Sequence, residues 1–380
     1  MNHAIAREDG MDNWVRKEGY SSVKRTNGDI MNRTTKSAER HWGRYYAIRL
    51  APLAILILLF ALGEVGARLV NLHLFGNPDM GLKDTMEVDP YLITRSNDAI
   101  EQEIPPKGQE FRVLILGPSV AYRFGEHLKS KPQADLDSLF FSVSGGRSIQ
   151  IFNYGQFEHV IQQSVIVYAL YGARVEPDII ISINGPLDML EMLRSGRPGI
   201  PLHVTEVERS VRTPWKYAIE RLFRSSQLVG SVKRYIGKRQ KLKRMQDLDL
   251  ATAERRLYLQ SVTDLARMKG DSDCKYVAVL HPYGPLRDPC TKREERIMEP
   301  YGFRRDYMRE QLHLLAGQLD SLAGRMDFSM VDASALGSKM EGVELYEDEV
   351  HINSVGHDLL LNMILAVAES DSSRRDSNAF

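Results

Sequence analysis

The chain has 380 residues, of which 43% are hydrophobic and 26% charged, so it can bury the core of one large domain or two ordinary ones. Its formal net charge of zero excludes a protein built wholly for binding nucleic acid or anionic surfaces. Two cysteines, Cys274 and Cys290, exclude a disulfide-rich scaffold and give no support to a zinc cluster. A single bridge between them stays open, although the strand predicted between them would carry them apart.

The N-terminal part of the chain changes from polar to strongly apolar. Residues 1–44 are polar without a sustained period, which predicts a disordered tail. Residues 45–70 are predicted to be a transmembrane signal-anchor, because a helix over Tyr45–Gly63 would be about 28 Å long, close to the hydrocarbon thickness. A buried core helix and a cleaved signal peptide ending near Ala61-Leu62-Gly63 are the alternatives.

Charge asymmetry around this span predicts its orientation. Cations precede it and acidic residues follow it: Arg33, Lys36, Arg40, Arg44 and Arg49 before, Asp79, Asp84, Glu87 and Asp89 after. The positive-inside rule then predicts a single-pass protein of the inner (plasma) membrane with a cytoplasmic N-terminus. The C-terminal domain would be periplasmic or extracellular, beyond a linker over 71–108.

Residues 109–370 alternate strand-like and helix-like stretches, which predicts an α/β domain with a five-stranded parallel sheet covered on both faces. The predicted strands are Phe111–Leu116, Ser148–Asn153, Asp178–Asn184, Lys275–His281 and Phe328–Asp332. The predicted helices are a stretch after Ser119, Phe157–Arg174, Phe303–Arg325 and Ser354–Ala368. Residues 371–380 are predicted to be a disordered tail.

A long helical insertion is predicted between the third and fourth strands, over residues 202–269. It carries a basic run: Lys233, Arg234, Lys238, Arg239, Lys241, Lys243 and Arg244. Such a run usually lies on a solvent-exposed helix face. The alternative is a cap over the site that attracts an anionic polymer or lipid headgroups.

Two segments carry residues suited to nucleophilic catalysis. Ser119 lies where a buried strand ends at Gly117-Pro118 and a helix begins, at the sheet edge where α/β proteins bind ligands. Asp348 and His351 are three residues apart in a loop, a spacing at which a carboxylate can bind Nδ1–H of the imidazole and leave Nε2 as a base.

These motifs resemble, in order, those of the SGNH (GDSL-type) hydrolases. Gly117-Pro118-Ser119 is similar to the first block, Asn153-Tyr154-Gly155 to the second, Gly185-Pro186-Leu187-Asp188 to the third, and Asp348-Glu349-Val350-His351 to the closing Asp-x-x-His. The resemblance implies a three-layer flavodoxin-like fold and a Ser119–His351–Asp348 triad. It also implies an oxyanion hole from the N–H groups of Ser119 and Gly155.

Two positions depart from the family pattern. Pro118 replaces an aspartate, and Leu187 stands where the family has the asparagine that supplies the third oxyanion donor. Loss of such a donor typically lowers kcat about 10²–10³-fold. Asn184, at the end of the third strand, is the remaining candidate for that donor.

The sequence therefore predicts a membrane-anchored extracytoplasmic serine esterase that hydrolyses or transfers acyl groups, acting on carbohydrate or lipid of the cell envelope. It would use no cofactor or metal and bind no nucleic acid; its oligomeric state is left open. The alternative is a catalytically impaired domain of the same fold that binds polysaccharide or a partner protein.

Overall fold

The computed structural model describes residues 103–201, 238–270 and 273–378, with 58–63, 87–89, 92–95, 211–213 and the single positions 55, 65, 204, 208, 215, 226 and 236. The chain divides into two compact units, Met1–Asn77 and Pro78–Phe380. The predicted tail over 1–44 and most of the predicted anchor over 45–70 lie outside the described residues.

In the first unit, residues 55, 58–63 and 65 are helical. The large apolar side chains among them are exposed: Ile55, Leu58, Leu59, Phe60, Leu62 and Val65. Among the described residues, no helix combines the length and the apolar character needed to cross a membrane.

The second unit is an α/β domain built on one five-stranded parallel sheet, as predicted. The strands are β3 (Phe111–Leu116), β4 (Ile149–Asn153), β5 (Ile179–Asn184), β6 (Lys275–Leu280) and β7 (Ser329–Asp332). Their spatial order is β4-β3-β5-β6-β7, a flavodoxin-like order with its switch point between β3 and β5. Every residue of β3 and β5 is buried, because helices cover both faces of the sheet.

A short hairpin precedes the sheet, within the predicted linker. Strand β1 (Glu87–Asp89) pairs antiparallel with β2 (Ile93–Arg95). The side chain of Gln163 donates a hydrogen bond of 2.8 Å to the carbonyl oxygen of Leu92, which is fully buried. The predicted linker thus includes ordered structure that is tied to the domain.

The helices of this domain alternate with the strands and are numbered in chain order. They are α1 (Ser119–Lys129), α2 (Gln133–Leu139), α3 (Phe141–Ser144), α4 (Ile161–Leu170), α5 (Pro186–Ser195), α6 (Leu248–Met268), α7 (Lys292–Met298), α8 (Arg305–Ala323) and α9 (Ser354–Asn378). Short 3₁₀ turns cover Gly172–Val175, Gly284–Leu286 and Glu299–Arg304.

Three helix predictions differ from the structure. The helix predicted over Phe157–Arg174 is shorter, since α4 covers Ile161–Leu170 and a 3₁₀ turn covers Gly172–Val175. The last part of the predicted insertion, α6, is the crossover helix of the β5–β6 connection, since it packs against α4 and α5. Helix α9 continues to Asn378, ten residues past its predicted end, over positions predicted to be a disordered tail. Most of residues 202–237 lies outside the described residues, and residues 238–245 of the insertion are helical, as predicted.

Candidate active site

All the candidate catalytic residues lie at the carboxyl-terminal edge of the sheet. Ser119 begins α1 directly after β3, Gly155 follows β4, and Asn184 ends β5. The loop that carries Asp348 and His351 comes after β7 and leads into α9. The parallel direction of the strands brings these four connections to one edge.

Three of the predicted residues form one chain of hydrogen bonds. Ser119 Oγ lies 2.9 Å from His351 Nε2, and His351 Nδ1 lies 2.6 Å from Asp348 Oδ2. Ser119 and His351 are separated by 232 residues in sequence. The arrangement gives a hydroxyl, an imidazole base and an orienting carboxylate in the order that serine nucleophiles require.

The carboxylate of Asp348 is held by its own loop. Its Oδ1 accepts hydrogen bonds of 2.9 Å from the backbone N–H groups of Val350 and His351. Burial alone would raise the pKa of Asp348, but the hydrogen bond and charge of His351 and the two N–H groups lower it below its ordinary value. Asp348 therefore stays ionised at neutral pH and orients the imidazole through Nδ1.

The connection after β4 is fixed next to the nucleophile. The N–H groups of Tyr154 and Gln156 donate to the carbonyl oxygens of Ile115 and Gly117, each at 2.9 Å. Gly155 packs so closely on α1 that a Cβ there would lie 2.3 Å from the backbone nitrogen of Tyr122. Only glycine fits this position without displacing the backbone of α1.

The expected oxyanion donors are only partly available in this conformation. The N–H of Gly155 donates to Asn153 Oδ1 at 3.2 Å. The amide of Asn184 is fully buried and donates to Ser182 Oγ at 2.7 Å. Asn184 therefore points along the sheet face with Ser182, two residues earlier, and is not the third donor. The N–H of Ser119, at the positive end of the α1 dipole, remains suited to an oxyanion.

Helix α5 begins within the block Gly185-Pro186-Leu187-Asp188. The backbone N–H of Leu187 donates to Nε2 of His281 at 2.9 Å, and Nδ1 of that ring lies 2.8 Å from the carbonyl oxygen of Pro282. Burial, and secondarily the charge of His351, lowers the pKa of His281 to about 3. His281 is thus a neutral acceptor that fixes the start of α5.

Asp188 joins the beginnings of two helices. Its carboxylate accepts hydrogen bonds of 2.7 Å from the N–H groups of Ile161, at the start of α4, and Gly185, before α5. Burial is the main cause that raises the pKa of Asp188 to about 6. Asp188 therefore fixes the starts of α4 and α5 relative to one another.

Residues beyond the motifs also meet at the site. Glu349, next to Asp348 in the closing motif, pairs with Arg304 and with Arg194 of α5. No sequence pattern signals this contact, because 45 residues separate Arg304 from Glu349 and 155 separate Arg194 from it.

The part of the chain that the structure describes contains no candidate metal site. No group of three or more His, Cys, Asp or Glu side chains lies there in a position to hold a metal ion. The two cysteines are free thiols, Cys274 buried and Cys290 half-buried, so the bridge that the sequence left open does not form.

Comparison with known proteins gives structural matches only. No protein-family profile and no curated protein matches the chain. A GDSL-like lipase from Bacteroides thetaiotaomicron matches with a TM-score of 0.39 and 12% identity, over 72% of this chain and 94% of the other. An acetylxylan esterase from Geobacillus stearothermophilus, solved as a catalytic mutant, matches with a TM-score of 0.37 and 12% identity, over 70% and 96%.

A gut microbial diltiazem-metabolizing enzyme also matches, with a TM-score of 0.39 and 12% identity over 70% of this chain. The chain spans about half of that enzyme, 48% of its length. Because the identities and TM-scores of these matches are low, the assignment of a function depends on the geometry of the site and not on the matches.

Proposed function

We propose that this chain is an SGNH-type serine esterase that hydrolyses or transfers acyl esters. The observation that carries the proposal is the hydrogen-bonded chain from Ser119 Oγ through His351 to Asp348. A serine hydroxyl is a weak nucleophile unless a positioned base removes its proton, and this chain supplies that base.

The residues account for each step of acyl transfer. Ser119 Oγ attacks the ester carbonyl carbon while His351 Nε2 accepts the hydroxyl proton, and Asp348 stabilises the imidazolium. The N–H of Ser119 donates to the oxyanion. His351 returns the proton to the departing alcohol, which leaves an acyl group on Ser119.

The second half-reaction repeats these roles. Water gives a proton to His351 and attacks the acyl carbon, and the carboxylic acid leaves as Ser119 regains its proton. If a sugar hydroxyl attacks in place of water, the same residues perform acyl transfer. Measuring free acetate against acetylated oligosaccharide, from an activated acetyl ester, separates the two outcomes.

The second candidate function is binding without catalysis. The shortage of oxyanion donors favours it. The Gly155 N–H donates to Asn153, and position 187 carries a leucine in place of an amide side chain. Such a domain would keep the triad geometry but stabilise the tetrahedral intermediate poorly.

Covalent labelling decides between these functions. The full-length protein is treated with a fluorophosphonate probe, alongside Ser119→Ala and, as a matched control, Ser130→Ala, which changes an exposed serine of the same region. An esterase labels in the wild type and in Ser130→Ala but not in Ser119→Ala. A folded wild type that does not label contradicts the esterase proposal and favours the binding domain.

We also propose that the chain is a single-pass protein of the inner (plasma) membrane, with the esterase domain outside the cytoplasm and cell-envelope carbohydrate or lipid as its substrate. The apolar run Leu50–Gly63, the exposed apolar side chains of Ile55, Leu58 and Leu62, and the cations before the run support the anchor. Protease added to spheroplasts should cleave the C-terminal domain. Protection of that domain in intact spheroplasts would contradict the proposed orientation.

A further inference from the structure

An ion-pair cluster adjoins the catalytic loop. The carboxylate of Glu349, only one residue after Asp348, pairs with Arg304 and lies 3.5 Å from Nη2 of Arg194. Arg194 also pairs with Glu191, one turn earlier on α5, at 2.6 Å. The cluster therefore begins at the residue that follows Asp348 in the catalytic loop.

Arg304 has hydrogen-bonding capacity that the described residues leave unused. Its side chain is 2% exposed, and its Nε and Nη1 atoms make no hydrogen bond within the described part of the chain. The rings of Tyr301 and Phe303 lie 5.2 and 5.5 Å from the guanidinium carbon. Buried cationic N–H groups without acceptors are unfavourable, so an acceptor that binds there gains that energy.

Lys241 adds a cation from the basic run that the sequence singled out. It is half-buried, and its ammonium makes no hydrogen bond or ion pair with any residue that the structure describes. Burial, followed by the charges of Arg194 and Arg304, lowers the pKa of Lys241 to about 8. The carboxylates of Glu349 and Glu191 offset only part of this lowering, so a further anion bound there would stabilise the charged ammonium.

In and around the cluster, five cations face three carboxylates. Arg194, Arg304 and Lys241 face the carboxylates of Glu349 and Glu191, with the exposed Glu158 near Arg194. Two further cations adjoin it. The ammonium of Lys238 lies 4.9 Å from the Phe303 ring, and the guanidinium of Arg244 donates to the last carbonyl oxygens of α5.

We propose that this cluster, formed by Arg194, Arg304 and Lys241, binds a carboxylate of an acidic oligosaccharide whose ester is presented to Ser119. The inference rests on the proposed function and names its substrate class. Arginine side chains match carboxylate geometry, and the half-buried rings of Tyr301 and Phe303 offer apolar faces suited to sugar rings. A fatty acyl chain would gain nothing from so many charged groups.

Calorimetry with a uronic-acid trisaccharide tests the proposal. The full-length Ser119→Ala protein, which cannot turn over an ester, is titrated at low ionic strength with trigalacturonate and with maltotriose as the neutral trisaccharide. Trigalacturonate should bind more tightly than maltotriose by about tenfold or more, and its affinity should fall as salt is added.

A pair of charge-matched variants locates the binding. Lys241→Gln in the Ser119→Ala background should weaken trigalacturonate binding by about tenfold, the equivalent of one charge-assisted contact. Lys243→Gln removes the same charge from an exposed side chain two residues away and should leave binding unchanged. Arg304→Gln, checked by its thermal melt because Arg304 is buried, should weaken binding in any preparation that remains folded.

Equal affinity for the two trisaccharides would overturn the inference, and so would equal effects of the two lysine variants. A third contrary result is that trigalacturonate does not bind while phosphatidylglycerol vesicles bind in a way that depends on Lys241. The last result would assign the cluster to lipid phosphate. Fluorophosphonate labelling is measured separately, so a chain that binds trigalacturonate but does not label loses only the proposed esterase function.

Discussion

The backbone N–H of Leu187 donates a hydrogen bond of 2.9 Å to Nε2 of His281, across the carboxyl ends of β5 and β6. His281 is fully buried and neutral, and its other ring nitrogen donates to the carbonyl oxygen of Pro282. One imidazole therefore ties the first turn of α5 to the next strand. Leu187 is positioned through its backbone and not through its side chain.

We expect His281→Ala to destabilise the domain. The change leaves the buried Leu187 N–H without an acceptor and opens a cavity, which together cost about 2–4 kcal/mol of unfolding free energy. Urea unfolding measures the loss. His313→Ala, on the exposed face of α8, is the control and should change stability by less than about 0.5 kcal/mol. Equal losses in the two variants would contradict the role assigned to His281.

The five strands could be predicted from sequence because both faces of the sheet are covered. Strands β3 and β5 are buried throughout and appear in the sequence as continuous apolar runs with turn residues at their ends. Helix α5 was not predicted. Residues 186–193 are all buried, so even the charged side chains Asp188 and Glu191 of this helix face the interior and not solvent.

The site could be predicted only as far as its motifs reach. Ser119, Asp348 and His351 follow from motif order and meet as expected in space. The direction of the Asn184 side chain depends on which sheet face it joins, and the engagement of the Gly155 N–H depends on the Asn153 rotamer; neither is encoded in residue spacing. The pairing of Arg304 with Glu349 requires the tertiary fold.

Asp348→Asn should impair catalysis far more than stability. An asparagine amide facing His351 Nδ1 favours the wrong imidazole tautomer, and such changes lower kcat by about 10⁴-fold. The rate of fluorophosphonate labelling measures the loss. Glu347→Gln removes the same charge one residue earlier, from a half-exposed side chain paired with Arg123, and should label at nearly the wild-type rate. Similar rates for the two variants would show that Asp348 does not orient His351.

Gly125→Ala should destabilise the domain although alanine is the better helix former. A Cβ at this position in α1 would lie 2.3 Å from the side chain of Asn153, which also binds the carbonyl oxygen of Tyr122. We expect a net loss of about 1–3 kcal/mol in urea unfolding. Gly317→Ala in α8 meets no atom within 4 Å and should gain up to about 1 kcal/mol. A stabilised Gly125→Ala variant would contradict this packing.

The carboxyl of Glu254 should limit stability at alkaline pH. Burial, followed by the charge of Asp188, raises the pKa of Glu254 to about 8, although the N–H of Gly199 donates to its carboxylate at 2.7 Å. Between its unfolded value near 4.5 and about 8, the folded state holds a proton that the unfolded chain has released. The unfolding free energy therefore decreases as pH rises through this window.

Glu254→Gln removes this ionisation while keeping an acceptor oxygen for Gly199. We expect the variant to match the wild type near pH 5 and to exceed its unfolding free energy by on the order of 2–4 kcal/mol at pH 8.5. Urea unfolding at the two pH values measures the difference. Glu295→Gln, on the exposed side of α7, should show no such pH-dependent gain. If Glu254→Gln is less stable than the wild type at both pH values, the raised pKa of Glu254 does not limit the alkaline stability of the domain.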